Sequence, residues 1–544
     1  SKKNEVGMVN DNLSRVKSYY TNIEDDLEIS TQLKDIINQS NGYDQLSLYS
    51  YILLGYTAEK DTFYSKIKRL ASNEYFLISS NGVQRKKIIE EPKNIQNYSN
   101  NQIDNYDKIF TNSVSSRAGK HNIVMNSGGW DSTSILYKLC ETQQTENISA
   151  AVFDVILPNG QSYNKYEVDK VERIGKHFNV NTEKATVNYS DINLLDYWES
   201  HLDNMKSNHM YFWLHHLKVS NIESLNINSG ARIFNGECSD SIHNFGFSQF
   251  VSVNYKNMQL REIADKAKSY LYGPTFFEHL VDNTFHNDET FNFFHKYFGK
   301  EQFSNFKDTD KKTRVSNYLE SFMLSGPRIP FASWQQNEIT HDKLRKNYLS
   351  HIRTEYLEDA VTKCNSKTLY YWLLQIYKRF HFNSNQIGVT QVAMNLKNAH
   401  CVMPFLDTQL IDFMYQMPED WGRGLELRTT KYPLRFLSEH KWKKMPINIL
   451  MEKGPHSYIS EDDNKWSYAG GDWSIYCEIM YKSVFKNYFK KIFIDIKLED
   501  IFDPNYFQID KLNLIIKNYV NDIENPKDVN ILFRLAILFS IGLY

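Results

Sequence analysis

Between Ser127 and Thr133 the chain places two glycines, one acid and three hydroxyls, in the order Ser-Gly-Gly-Trp-Asp-Ser-Thr. Gly128 and Gly129 let the backbone turn tightly and bring N–H groups close to an anion. Ser127, Ser132 and Thr133 add hydroxyl donors. A helix that starts here points its positive end at the same spot. The chemistry is that of a phosphate or pyrophosphate cradle. Asp131 adds negative charge to it, which makes sense if a divalent cation lies between carboxylate and phosphate. Mg²⁺ is commonly held by one or two carboxylates plus phosphate oxygens. The plain alternative is a tight strand-to-helix turn with a polar cap. Five letters, Ser-Gly-Gly-x-Asp-Ser, weigh against it, since at about 5–7% per residue they recur by chance on the order of once in a few thousand chains of this length. No Gly-Lys-Ser/Thr follows, so this is not the Walker pattern, and the GxGxxG dinucleotide fingerprint is missing.

Such a cradle needs a strand to end at it and a helix to leave it. "IVMN" (Ile123 to Asn126) is a short apolar run that leads straight into Ser127, and a helical run with Leu136 and Leu139 follows. "ISAAVFDVIL" (Ile148 to Leu157), "TEKATV" (Thr182 to Val187) and "ARIFNGE" (Ala231 to Glu237) read as three further strands. "EVDKVERIGKHF" (Glu167 to Phe178) and "MYFWLHHLKVSNIES" (Met210 to Ser224) read as helices between them. Strand–helix alternation predicts an α/β fold: a parallel sheet with helices on both faces. After about residue 255 the chain reads as mostly helical. In open parallel sheets, ligands bind outside the carboxyl ends of the strands, which is where Ser127 to Ser132 fall.

Upstream, "DQLSLYSYILLGY" (Asp44 to Tyr56) reads as an apolar helix closed by Gly55. "EYFLISSNGVQRKKII" (Glu74 to Ile89) alternates around Asn81-Gly82, a hairpin signal. Residues 1–40 are polar and weakly patterned, and the Asn-rich stretch Glu90 to Tyr106 reads as a linker. We place a domain boundary there, with an N-terminal segment 1–106 and a second part 107–544.

The 544 residues, 41% hydrophobic and 24% charged, suffice for large cores. A net charge of −2 lacks the basic excess of a protein that binds nucleic acid by bulk charge, so a partner held in that way is not expected. Cys140, Cys238, Cys364, Cys401 and Cys477 are far apart with no CxxC pair, which reads as reduced thiols in a cytoplasmic protein. The opening "SKKNEVGMVND" has no apolar core of a secretory leader. The apolar tail Ile531 to Tyr544 is short and interrupted by Arg534, so a buried helix is expected rather than a membrane span. His215, His216 and His381 lack metal-ligand spacing and read as packing or surface residues.

"SGGWDS" resembles the pyrophosphate loop of the PP-loop ATP pyrophosphatases, which cleave ATP between the α and β phosphates and adenylate a substrate. Within that superfamily the chain is similar to the synthetase domain of asparagine synthetase, whose relatives include β-lactam synthetases and lasso-peptide cyclases. Further motifs carry the resemblance. "IFNGECSDSIHNFGF" matches the family's Ser-Gly-Glu/Asp-Gly-x-Asp-Glu at Gly236, Glu237 and Asp240, with Cys238 in place of a glycine and Ser241 in place of a glutamate. "PFLD" (Pro404 to Asp407) matches closely, with His400 and Val402 where many relatives have Glu and Arg. "KYPLRFLSEH" (Lys431 to His440) resembles a Lys-rich segment, and "KKMPINILMEKGPHSY" puts Lys453 on the family lysine, with Met451 at its arginine. "YNKYEVDKVERIGKHFNV" resembles the helix after the second strand, with Glu167 at a family Glu, and "LLGYTAEKDTFYSKIKRLASNEYFLI" resembles the segment that joins a glutaminase to the synthetase.

The resemblance implies a ligase that uses ATP and Mg²⁺. The nucleotide would lie on Ser127, Gly128, Gly129, Asp131, Ser132, Thr133 and Gly236, with the strand through Val152 against the adenine. Asp131 and Asp240 would share Mg²⁺, Glu237 would act as base toward the incoming amine, and Lys453 would offset charge during acyl transfer. Asp407 reads first as a helix start. The family's glutaminase nucleophile is an N-terminal Cys; this chain opens on Ser1 and its first Cys is Cys140. The amine is therefore expected from free ammonia, a partner glutaminase or an amine-bearing substrate, and the carboxylate from a small molecule or peptide. Two rivals stay open: a PP-loop enzyme that adenylates RNA, and an inactive synthetase-like scaffold.

Overall fold

The computed structural model describes residues 6–11, 13, 17–23, 26–40, 42–79, 82–88, 90–202, 230–245, 269–292, 309–324, 339–380, 382, 387–395, 398–425, 428–452, 482–523 and 528–542. Local pattern decides little over the first forty residues, yet three strands form there because their partners lie farther along the chain. Val6–Val9 (β1) pairs antiparallel with Glu74–Ser79 (β5), which pairs with Gly82–Lys87 (β6) as the expected hairpin. Tyr19–Ile23 (β2) lies between Asp26–Ser30 (β3) and Ile67–Arg69 (β4). The helix Gln45–Leu54 (α1) starts where Asp44 accepts from the Ser47 N–H at 2.8 Å and stops at Gly55, whose φ is 82°.

The third sheet explains the site. Asn122–Met125 (β7), Ile148–Ile156 (β8), Asn181–Asn188 (β9), Arg232–Asn235 (β10) and His400–Val402 (β11) form a parallel five-stranded sheet in the order β11-β10-β7-β8-β9. β8 is apolar and buried along most of its length, as expected for a parallel strand covered on both faces. β9 alternates at its end and β11 is only three residues long, which suits edge strands. The first four strands match the expected segments to within a residue or two; β11 was not foreseen.

From β7 the chain winds outward through β8 and β9, then returns to the other side of β7 for β10 and β11. The order therefore reverses between β7 and β10, and it is outside the carboxyl ends of strands at such a reversal that open parallel sheets bind ligands. Asn122–Met125 runs in register with Arg232–Asn235, so Met125 and Asn235 end side by side. Two helices leave the rim of β7 and β8. Trp130–Thr142 (α3) follows β7 after the glycine turn, and Lys165–Phe178 (α4) follows β8. α4 buries Val168, Val171, Ile174 and Phe178 at helical spacing against the sheet.

One apolar core runs from Leu13 to Ile541, so the N-terminal segment packs into the same interior as the sheet. Residues 90–99 carry no regular structure, and after a turn at Asn100 the helix Asn101–Ser115 (α2) takes up the rest of the stretch expected as linker. It is pinned, with Ile95 and Gln96 N–H groups donating to the Lys367 and Gln416 carbonyls at 2.7 and 2.9 Å. The tail forms the helix Val529–Ser540, with Leu535 and Leu538 fully buried and Arg534 donating to the Ile52 carbonyl. Among the described residues no helix is long and apolar enough to cross a membrane. The expected helix at Met210 to Ser224, with His215 and His216, and also His381, Lys453 and Cys477, lie outside the described residues.

Candidate active site

The glycine turn is closed by its own side chains. Asn126, the residue after β7, accepts from the Gly128 N–H at 2.7 Å and from the Ser132 hydroxyl at 3.2 Å. The Ser127 N–H donates back to Ser132 Oγ at 3.3 Å. Gly128 takes φ 69°, a conformation that disfavours any side chain. α3 begins at once, with Gly129 at its cap position, so its first free N–H groups lie at the turn. Ser127 is exposed at the rim; Ser132 and Thr133 are buried. Val152 is a buried core residue, one position past Ala151, the last partner of β7.

The turn after β10 is built on the same plan. Asn235 accepts from the Glu237 N–H at 2.9 Å, and Cys238 takes φ 70°, the left-handed conformation that suits the glycine of the resembled motif. Ser239–Asn244 (α5) follows. The two turns press together at Gly236: a Cβ there would meet the Ser132 backbone N at 3.0 Å and Asp131 Cβ at 3.3 Å. This close approach is why the position requires glycine.

Asp131 and Asp240 consequently face one point. Lys431 fills it, with Nζ 2.7 Å from Asp131 Oδ2 and 2.5 Å from Asp240 Oδ1. The Ser239 hydroxyl donates to the other Asp131 oxygen at 2.8 Å. Burial pulls the Lys431 ammonium down, but the two carboxylates outweigh it and hold it above the ordinary lysine range. Glu237 completes the acidic group. The residue is exposed at the surface, while protein atoms crowd its carboxyl. That loss of bulk water, followed by the charges of Asp240 and Asp131 and opposed by Lys431, pushes it up to about 7. Surface exposure alone would leave it near 4.5; the enclosing protein and neighbouring acids govern it.

Behind these groups stands a layer that sequence reasoning missed. His243 is fully buried, and its Nδ1–H donates to the Ser239 carbonyl at 2.7 Å. Its Nε2 therefore accepts from the Tyr106 hydroxyl at 2.9 Å. Burial lowers its pKa to about 3, so the ring is neutral. Arg423, also fully buried, donates to the Ile242, His243 and Met414 carbonyls and lies over the Phe245 and Tyr370 rings. It satisfies carbonyls at the end of α5 that have no partner within so short a helix. Lys431 stood in a motif quoted for its resemblance, and nothing local marked it as the cation between two acids. Asp407 is a helix cap: it accepts from the Gln409 N–H at 2.9 Å, caps Thr408–Gln416 (α6) and pairs with Arg117 at 2.6 Å. The Glu167 carboxylate accepts from Asn164 at 3.1 Å in the first turn of α4.

The donor set suits a hard divalent cation. Asp131, Asp240 and Glu237 give three acids against Lys431, and after the loss of bulk water the charges of Asp240 and Asp131 add to the rise of Glu237. Among the described residues no three His, Cys, Asp or Glu side chains are placed to hold a metal by themselves. The Nδ2 atoms of Asn126 and Asn235 and the Thr133 hydroxyl are buried without a hydrogen-bond partner among the described residues. No protein-family model matches the chain, and no curated protein matches it.

Proposed function

We propose that the protein is an ATP-dependent amide-bond-forming ligase of the asparagine synthetase-like, PP-loop type. The observation that carries the reading is the meeting of Asp131 and Asp240, from adjacent strand ends at the reversal of the sheet order, on one cationic position. A glycine turn and a helix start lie beside them. Strand-order reversals are where open parallel sheets bind nucleotides.

In this reading Ser127, Gly128, Gly129, Ser132 and Thr133, with Gly236, form the cradle for the phosphates of ATP, and Val152 lies toward the adenine. Asp131 and Asp240 would hold Mg²⁺, which would supply charge neutralisation on the pyrophosphate, and Lys431 would offer its ammonium to phosphate oxygen. A substrate carboxylate oxygen bonds to the α phosphorus as the bond to pyrophosphate breaks. An amine nitrogen next bonds to the acyl carbon, AMP leaves with the electrons of the broken C–O bond, and Glu237 takes the amine proton. A carboxyl poised near 7 suits that exchange at neutral pH. Lys453 keeps the role the resemblance gives it, a fixed cation against charge in the tetrahedral state.

The test is release of pyrophosphate and AMP with a panel of amino acids and peptides, comparing the parent protein with Asp131→Ala. Release that depends on the acid and falls at least a hundredfold in the variant is expected; equal release by both would sink the assignment. One observation favours a non-catalytic scaffold: Lys431 already neutralises much of the acid pair. ATP binding without AMP formation across the panel would decide for it.

A further inference from the structure

Lys170 belongs to α4, on the β8 side of the glycine turn, away from the acid pair. Its stem lies across Gly128: a Cβ on that glycine would sit 3.0 Å from Lys170 Cδ, 3.1 Å from Cγ and 3.4 Å from Cβ. The ammonium is two bonds beyond that contact. Only 8% of the residue's surface is exposed. Its hydrogen bond to the Leu450 carbonyl is long, at 3.4 Å, and among the described residues it forms no ion pair. Glu452, whose charge is felt at Lys170, is itself held by both guanidinium nitrogens of Arg173, at 2.7 and 2.5 Å. A lysine so covered, its ammonium partly withdrawn from water and without an ion pair, is costly unless an anion compensates it, and the surface beside it is a turn shaped to collect one.

We propose that Lys170 is a direct ligand of the polyphosphate chain bound on the Ser127–Ser132 turn, an inference that rests on the nucleotide reading of that turn. The phosphates would then be gripped from both neighbours of β7, by Lys170 beside β8 and by the Asp131–Asp240–Lys431 group beside β10. It also gives Gly128 a second duty, since a side chain there would push the lysine stem aside.

Calorimetric titration of the full chain with inorganic pyrophosphate, ATP and adenosine, each with Mg²⁺, tests this. Lys170→Met keeps the stem and removes the charge. It is expected to weaken pyrophosphate and ATP about tenfold or more, the scale of one charge-assisted hydrogen bond, while adenosine stays within about twofold and Lys170→Arg retains most of the parent affinity. Lys170→Gln, which keeps a donor for the Leu450 carbonyl, should show the same loss and serves if the methionine variant does not fold. Parent-like pyrophosphate and ATP affinity in the uncharged variants overturns the proposal and leaves the nucleotide reading standing. A parent protein that binds neither pyrophosphate nor ATP overturns both.

Discussion

Replacing Lys431 by methionine keeps the length of the side chain and removes the ammonium that touches Asp131 at 2.7 Å and Asp240 at 2.5 Å. Because both oxygens reach one nitrogen they are at most about 5 Å apart, and two bare carboxylates at that spacing repel by about 3 kcal/mol at an effective dielectric of ~20. Removal of one partner from a buried charge pair costs about 3–5 kcal/mol. Here the side chains of Lys431, Asp131 and Asp240 are 14%, 17% and 6% exposed, so solvent relieves part of the penalty and we place it at about 3 kcal/mol at neutral pH. The sign with pH follows. In the parent protein the folded pKa of Lys431 lies above 10.5, so its contribution is full below that value and is lost only as pH rises through the folded pKa. In the variant Glu237 loses the cation that holds it down and rises further above its ordinary range, so the penalty is relieved as pH falls and Glu237 takes up a proton. Urea unfolding near pH 7.5 and near pH 5.5 without Mg²⁺ should therefore show a loss that shrinks at the lower pH. Lys431→Met combined with Asp240→Asn should recover most of it. A loss under about 1 kcal/mol, or one indifferent to both pH and Asp240→Asn, would refute the charge balance drawn above.

Gly236→Ala should destabilise by about 1–3 kcal/mol in urea melts, because the new methyl meets backbone at Ser132 rather than a side chain that can swing away; a change near zero would mean the two turns are not packed as described. His351 donates to Asp61 at 2.9 Å where the N-terminal segment meets the later helices. Burial lowers the His351 pKa, but Asp61 outweighs this and leaves it raised above 6.5, while His351 and Lys68 together overcome burial and hold Asp61 below 3.8. The pair is thus fully stabilising between those two ordinary values; the histidine part fades as pH rises through its raised pKa, the aspartate part as pH falls through its depressed one. Denaturant melts should lose about 1 kcal/mol between pH 6 and pH 8, and His351→Asn should remove that slope.

The parallel strands were legible because burial on both faces writes them as apolar runs, as in Ile148 to Ile156. The glycine turn was legible from composition, and α1 from Asp44 and Gly55 at its ends. β11 was not, because His400 and Val402 gain strand character only from Arg232 and Phe234 beside them. β1 and β2 were hidden for the same reason, each paired with a distant strand. At the site, sequence supplied Asp131, Glu237 and Asp240 as types at strand ends, but the cation between them comes from residue 431. His243 behind Ser239 and Lys170 across Gly128 are likewise matters of packing that no spacing announces.

Arg423 has a mechanical consequence. Its guanidinium is sealed in the interior and grasps carbonyls of α5 and of α6 at once. At the other end of α6, Asp407 is tied to Arg117 just past α2. The acid-bearing turn is thereby bolted to two helices from distant parts of the chain. It cannot fray or breathe alone, so amides along Ser239–Asn244 should exchange only when the whole molecule opens.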